Sequence, residues 1–115
     1  MPNEFESLRD RLREFAGARD WGPAHTPRNL ALALAGEVGE VAAELQWVPD
    51  HQVAAHLRDP VAADRLADEL ADVLIYLIRL ADVCDIDPLQ AAYAKIDRNE
   101  DRFPLPRPGR PDSAS

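Results

Sequence analysis

Acidic side chains lie at helical spacing in an otherwise apolar part of the sequence. Glu37, Glu40 and Glu44 are three and four residues apart within LALALAGEVGEVAAEL, and Glu69 and Asp72 repeat the spacing of three further along the chain. Residues at these spacings share one face of an α-helix, where like charges disfavour the helix by about 0.2–0.5 kcal/mol per pair. Such a cluster indicates that a cation neutralises it.

The ligand types narrow the choice of cation. Carboxylates without Cys or His favour hard divalent ions over zinc, because oxygen ligands suit Mg²⁺, Mn²⁺ and Ca²⁺. We therefore predict that Glu37, Glu40, Glu69 and Asp72 bind a hard divalent cation, with Mg²⁺, Mn²⁺ and Ca²⁺ all open at this point. The spacing alone leaves a second interpretation open, since short acidic motifs have many false positives and acidic residues at helical spacing are commonly a solvated face.

Two glycines lie among the first group of acids. Gly36 and Gly39 would each cost about 1 kcal/mol relative to alanine in a helix interior. We expect that the missing side chains leave room for another backbone or a ligand to come close.

Prolines mark where the helices that carry these residues begin. Thr26-Pro27, Asp59-Pro60 and Asp87-Pro88 each place a side-chain acceptor before a proline, a pairing typical of the N-cap and first position of a helix. The predicted helices are at about 3–18, 27–47, 60–84 and 88–102, with a turn or two of helix between the second and third. Four helices with short connections predict an all-α, antiparallel four-helix bundle.

The second and third helices carry apolar residues at alternating spacings of four and three. These predicted seams are Leu34, Val38, Val41, Leu45 and Val48 on the second helix, and Leu66, Leu70, Val73, Leu77 and Leu80 on the third. Each acid of the metal cluster precedes a seam residue by one, which is a rotation of about 100°. The acids would then meet at the border of the core.

The third helix has no charge between Asp72 and Arg79, so we expect it to be buried on more than one side. A small bundle rarely encloses one helix completely. The width of this apolar surface therefore predicts a homo-oligomer, either a dimer or a tetramer.

Composition bounds the class of protein. The 115 residues are 46% hydrophobic and 30% charged, with a net charge of −8, which argues against binding to nucleic acid or to anionic membranes. We predict one domain at 1–103 and a proline-rich, disordered tail at 104–115. The N-terminus lacks a secretory pattern, no apolar run approaches about 20 residues, and we expect the single Cys84 to be buried. These features favour the cytoplasm.

More specific motifs surround the acids and cover about residues 5–104. They are RDW at 19–21, His25, PRNLALAL at 27–34, GEVGE at 36–40, QW at 46–47, DELADVLIYL at 68–77 and KIDRN at 95–99. With E-x-x-E at 37–40 and E-x-x-D at 69–72, they make the chain resemble the all-α nucleoside triphosphate pyrophosphohydrolases of the MazG type. The resemblance is strongest to the dCTP pyrophosphatase branch of that family.

The resemblance implies a helical bundle in a homo-oligomer, with Mg²⁺ held by the four predicted acids. It implies hydrolysis of a (deoxy)nucleoside triphosphate, dCTP or a modified dCTP, to the monophosphate and pyrophosphate, as in sanitation of the nucleotide pool. One position departs from the pattern: relatives of this branch commonly have another glutamate where this chain has Ala43. Glu44 is the available acid, rotated by about 100°.

Two groups of residues are candidates for substrate binding. Lys95, Asn99 and Arg102 lie at spacings of four and three on the last helix, and the resemblance favours contact with the triphosphate. The alternative is a basic solvated face near a helix C-terminus, where cations are favoured.

The second group would recognise the base and consists of Trp21, His25, Trp47 and Tyr76. Aromatic rings can stack on a base or sugar, and His25 can hydrogen-bond to a base edge. Tyr76 follows Asp72 by four residues, which puts it beside the predicted metal. Core packing is the alternative for the three aromatic residues.

Other enzyme classes lack their motifs, since the sequence has no P-loop and no H-E-x-x-H zinc site. The rival from another class is a catalytically silent nucleotide-binding or scaffold bundle. Related phosphoribosyl-ATP pyrophosphohydrolases would differ only in substrate.

Overall fold

The computed structural model describes residues 1–106, which are all-helical and contain no strand. The α-helices are α1 (Glu4–Ala18), α2 (Pro27–Leu45), α3 (Val53–His56), α4 (Pro60–Val83) and α5 (Pro88–Arg102), with single 3₁₀ turns at Gly22–Ala24 and Asp50–Gln52. The all-α prediction is confirmed, and α3 is the short helix expected before α4. Of the predicted tail, residues 107–115 lie outside the described part.

The predicted N-caps explain where three of the helices begin. The side chains of Thr26, Asp59 and Asp87 each accept hydrogen bonds from backbone N–H groups in the first turn, and each is followed by proline. Helix α1 begins with a capping box between Asn3 and Glu6. These local bonds satisfy N–H groups that have no partner within the helix.

The end of α1 fixes the position of Trp21. The Trp21 N–H bonds to the Ala16 carbonyl and the Asp20 N–H bonds to the Gly17 carbonyl, at 3.0 and 3.2 Å. This pair of bonds is a Schellman motif, with Asp20 in the left-handed conformation at φ 54°. The indole of Trp21 consequently packs edge-on against Phe15, with ring centroids 5.4 Å apart.

The chain divides into two compact units, residues 1–85 and the residues from 86 onward, which contain α5. Within the first unit, α2 packs along α4 and α1 makes a smaller contact with α4. Glu37 lies near Asp72 and Glu69, whereas Glu44, further along α2, pairs with Arg65, which is earlier on α4. The reversed order shows that α2 and α4 are antiparallel.

The core of the first unit is small. Leu30, at 1% exposure, is its most enclosed large side chain, and Ala16, Ala62 and Ile78 are also buried. No helix in the described range is both long and apolar enough to cross a membrane. The expectation that Cys84 is buried is wrong: this residue is exposed, because α4 ends at Val83 and Cys84 forms its C-cap.

The predicted seams are wrong at three positions within this chain. Val38, Leu70 and Leu77 are 51%, 52% and 42% exposed, whereas Glu37 and Glu69, one residue earlier on each helix, are half-buried. The other seven seam residues are half-buried. The contact between α2 and α4 therefore keeps most of the expected face but takes in Glu37 and Glu69 where Val38 and Leu70 were predicted. Leu70, Leu74 and Leu77 form an exposed apolar stripe on α4.

The cap of α2 provides a test of this local account. Thr26→Ala should lower the free energy of unfolding by about 1 kcal/mol, because the Asn29 N–H loses the Thr26 hydroxyl that it bonds at 3.2 Å. Thr26→Ser, which keeps the hydroxyl, should stay close to the parent in urea denaturation. Equal losses in both variants would show that the hydroxyl is not the stabilising group.

Candidate metal and nucleotide site

Three of the four predicted metal ligands come together between α2 and α4. Glu37, Glu69 and Asp72 each offer a carboxylate oxygen, and these oxygens all lie within 4.8 Å of one another. The side chains are half-buried. Glu40 is exposed and is not a member of this group, although its charge is near enough to raise the pKa of Glu69. Its role as a ligand stays a prediction.

The electrostatics of the cluster follow from this crowding. Burial raises the pKa of Glu69 above its ordinary value, and the charge and hydrogen bond of Glu37 raise it further, with smaller effects of the charges on Glu40 and Asp72. Each extra negative charge in the group therefore costs free energy. Carboxylate oxygens at this separation fit a hard divalent cation such as Mg²⁺ or Mn²⁺, which would offset the repulsion.

Glu44 has a separate role. Arg65 Nε lies 3.2 Å from Glu44 Oε2, so this acid forms an ion pair. Glu44 lies about two helical turns from Glu37 along α2. Among residues 1–106, a side chain at Gly36 or Gly39 would meet nothing within 4 Å. No backbone of this range comes close to the two glycines, and the approach of a partner's backbone or of a ligand stays a prediction.

A cavity of about 190 Å³ lies between α1, the 3₁₀ turn region and α4. Its walls combine apolar and aromatic side chains with three polar ones: Leu12, Phe15, Ala16, Trp21, His25, Ile75, Tyr76 and Arg79. Three of the four residues predicted to recognise the base, Trp21, His25 and Tyr76, thus share one cavity. Tyr76 is one turn along α4 from Asp72, about 6 Å of helix rise, so the cavity adjoins the acidic cluster.

The remaining predicted substrate residues are not among those that line this cavity. Trp47 follows the C-cap of α2, is 86% exposed and is not among the cavity residues. Lys95, Asn99 and Arg102 belong to α5 in the second unit, where Asn99 is half-buried and the other two are exposed. The roles of these four residues stay predictions.

A polar network that the sequence did not indicate borders the cavity. Arg79 Nε donates to His25 Nδ1 at 3.2 Å, and Arg79 Nη1 donates to Asp82 Oδ2 at 3.4 Å. Arg13, on α1, donates from Nε and Nη2 to the two Asp82 oxygens at 2.6 and 2.5 Å. The only sequence signal was Arg79 itself, a single cation within the apolar run LIYLIRLA.

The network sets the charge states of its members. Hydrogen bonding from Arg13 lowers the pKa of Asp82, helped by the positive charges of Arg13, Arg79 and Arg9 and opposed by burial. Burial lowers the pKa of His25, and the adjacent charge of Arg79 lowers it further. His25 is therefore neutral at pH 7. The turn before it is held by Asn29, whose Nδ2 donates to the Ala24 carbonyl at 3.0 Å.

Comparison with known proteins identifies the family. The MazG nucleotide pyrophosphohydrolase domain matches residues 25–104, which include every acid of the cluster. This chain belongs to the MazG family. The resemblance inferred from its motifs, including that to the dCTP pyrophosphatase branch, is confirmed by the relatives described next.

Among curated proteins, the MazG chain is 46% identical over 101 residues to dCTP pyrophosphatase 1 of Bos taurus, and 46% over 100 residues to that of Homo sapiens. These matches cover 88% and 87% of this chain but only 60% and 59% of those relatives. A crystal structure of a pyrophosphatase from Archaeoglobus fulgidus matches with a TM-score of 0.82 and 37% identity, covering 91% of this chain and 96% of that one.

The crowding of the MazG carboxylates makes a prediction about stability. Because the pKa of Glu69 is raised in the folded state, the metal-free protein should lose stability as the pH rises from the ordinary value of 4.5 through the raised one. Glu69→Gln should therefore raise the Tm of the metal-free protein at pH 7 and reduce the further rise caused by Mg²⁺. The measurement is thermal unfolding with EDTA and with Mg²⁺.

Asp68→Asn is the matched control, since Asp68 is the adjacent exposed acid outside the cluster. It should leave the Mg²⁺-induced rise in Tm unchanged. A Glu69→Gln variant that is less stable than the parent without metal would show that repulsion does not outweigh the favourable contacts of the Glu69 side chain.

The His25 ring should titrate below 6.5, and Arg79→Met should move its pKa upward because the adjacent positive charge is gone. The corresponding stability is intact above about pH 6.5 and is lost as the pH falls from there through the lowered pKa. Two-dimensional NMR of the imidazole resonances measures both titrations. A ring that titrates at or above 6.5 in the parent chain would disprove this picture of the network.

Proposed function

We propose that this chain is a Mg²⁺-dependent nucleoside triphosphate pyrophosphohydrolase. It cleaves dCTP or a modified dCTP to the monophosphate and pyrophosphate, and so removes unwanted nucleotides from the cytoplasmic pool. One observation carries the proposal: in a MazG chain, Glu37, Glu69 and Asp72 converge within 4.8 Å of one another, one helical turn from a cavity lined by Trp21 and Tyr76. The names of the curated relatives favour dCTP.

The acidic cluster would hold the metal, which supplies charge neutralisation on the phosphates and activation of a water molecule. Glu37, Glu69 and Asp72 are the ligands that the distances support, and Glu40 completes the proposed set. Phosphoryl transfer depends mainly on positioning and charge. Because the carboxylates lie at the helix contact, the backbones of α2 and α4 restrict their movement and preorganise them for a cation.

The cavity would take the base. Trp21 and Tyr76 offer aromatic faces for stacking, and neutral His25 offers a hydrogen bond to a base edge. We assign contact with the triphosphate to Lys95, Asn99 and Arg102, whose spacing places them on one face of α5, and a further substrate contact to Trp47. Residues 1–103 constitute the pyrophosphohydrolase domain in this proposal.

We also propose that the chain functions as a homodimer or homotetramer. The supporting observation is the apolar stripe of Leu70, Leu74 and Leu77, which is 42–52% exposed on the single chain. Side chains of this type on one helix face favour burial against a partner. No nucleic acid or membrane surface is expected to bind a chain with a net charge of −8.

A panel of canonical, deoxy and 5-methylated nucleoside triphosphates with Mg²⁺ tests the activity, with pyrophosphate and orthophosphate measured separately. Pyrophosphate should appear with the monophosphate, fastest from a cytosine deoxynucleotide. Glu37→Gln and Asp72→Asn should each lower kcat by about 100-fold or more, because a direct ligand matters more than the surrounding groups that cost 10- to 100-fold. EDTA should abolish turnover.

Asp68→Asn, outside the cluster, should keep the parent rate. Release of orthophosphate alone would contradict cleavage between the α and β phosphorus atoms. A chain that binds these nucleotides with Mg²⁺ but releases neither product would be the catalytically silent binding protein instead.

A further inference from the structure

We propose that Arg79 determines base specificity, by presenting a hydrogen-bond donor to a base edge that carries two adjacent acceptors. Cytosine has such an edge in N3 and O2, whereas uracil and thymine place an N3–H donor there. The inference rests on the proposed function, because it takes the cavity to be the site of the base. Arg79 would thus select between pyrimidines by the hydrogen-bonding pattern of the base edge.

Arg79 is a charged residue in an unusual place. Arg79 is 8% exposed and lines a cavity whose other walls include Leu12, Phe15 and Ile75. Taking a guanidinium out of water is costly unless it is paired and hydrogen-bonded. Nothing in the metal cluster uses this residue, since its two hydrogen-bond partners are His25 and Asp82.

The guanidinium of Arg79 has donors to spare. Of its five N–H groups, one on Nε bonds His25 and one on Nη1 bonds Asp82. The other three, two of them on Nη2, have no hydrogen-bond partner among residues 1–106. In that range no enclosed side-chain nitrogen or oxygen lacks a partner, so Nη2 is accessible. Because Arg79 lines the cavity, we infer that Nη2 donates into it.

The contact with Arg79 fixes the tautomer of His25. Arginine cannot give up its proton, so His25 Nδ1 must accept the bond from Arg79 Nε, and the neutral ring carries its proton on Nε2. His25 therefore supplies a second donor to the same cavity. The nearby acceptor, Asp82, is already engaged through both oxygens by Arg13 and Arg79.

The polar part of the wall formed by Arg79 and His25 thus offers donors, with Tyr76 as the one hydroxyl able to do either. A base with adjacent acceptors satisfies both donors. A base with N3–H places a donor opposite a donor of the protein, so one of these groups has no hydrogen-bond partner. A well-placed bidentate contact discriminates between such bases by about 10- to 100-fold. Asp82 holds the guanidinium without lining the cavity, and Arg13 in turn holds Asp82.

Calorimetric binding of monophosphates to the full chain tests the inference without turnover. The probes are dCMP, dUMP and 3-deaza-dCMP, in which C–H replaces the N3 acceptor. The parent chain should bind dCMP about 10-fold or more tightly than either of the other two. Arg79→Met should bring the three affinities to within about twofold of one another, mainly by weakening dCMP.

Arg65→Met is the matched control, since it removes another arginine of α4, whose partner Glu44 does not line the cavity. It should keep the dCMP preference of the parent chain. An Arg79→Met chain that keeps that preference, including one in which all three affinities fall by the same factor, would overturn the proposal.

The parent chain alone also decides the matter if Arg79→Met does not fold. Equal binding of dCMP and 3-deaza-dCMP, or no binding of dCMP, rejects the inference. The pyrophosphate assay separates this result from the fate of the proposed function. Pyrophosphate release without base preference would support the proposed function and reject the role of Arg79. A preference for dCMP without pyrophosphate release would support the role of Arg79 and reject the proposed function.

Discussion

Mutual repulsion of carboxylates inside the contact between α2 and α4 is the constraint on which the rest of this structure depends. Glu37, Glu69 and Asp72 occupy positions where a bundle would ordinarily place apolar side chains, and the raised pKa of Glu69 reports the cost. Hydrophobic burial around Leu30 and Ile78 holds the helices together despite it. The fold therefore holds three acids so close together that they repel one another, and a bound cation would offset this repulsion.

Helix α4 separates two chemistries along its length. Near its middle, Glu69 and Asp72 gather negative charge, and two turns later Arg79 and Asp82 form a balanced network with Arg13 of α1. Tyr76 lies between the two regions and lines the cavity. A nucleotide has the same polarity, with an anionic phosphate end that needs a cation and a neutral base that needs directed hydrogen bonds and an apolar enclosure.

Small local devices position the cavity. The Schellman motif at the end of α1 sets Trp21, and Asn29 holds the turn that precedes His25. These bonds join residues that are close in sequence. The contact of α1 with α4 includes instead the double hydrogen bond between Arg13 and Asp82, which joins residues 69 positions apart. The cavity thus combines rigid local turns with one long-range ion pair.

Much of this architecture could be predicted from the sequence, because N-caps, prolines and periodic acids act within one or two helical turns. They determined the beginnings of α2, α4 and α5, and they indicated that carboxylates would form an acidic site. Only the tertiary structure decided which residues complete the contact between α2 and α4, since neighbours on a helix lie about 100° apart and Glu37, not Val38, is the half-buried one. Only it joined Arg79 to His25, 54 positions away, because no periodicity relates residues of different helices.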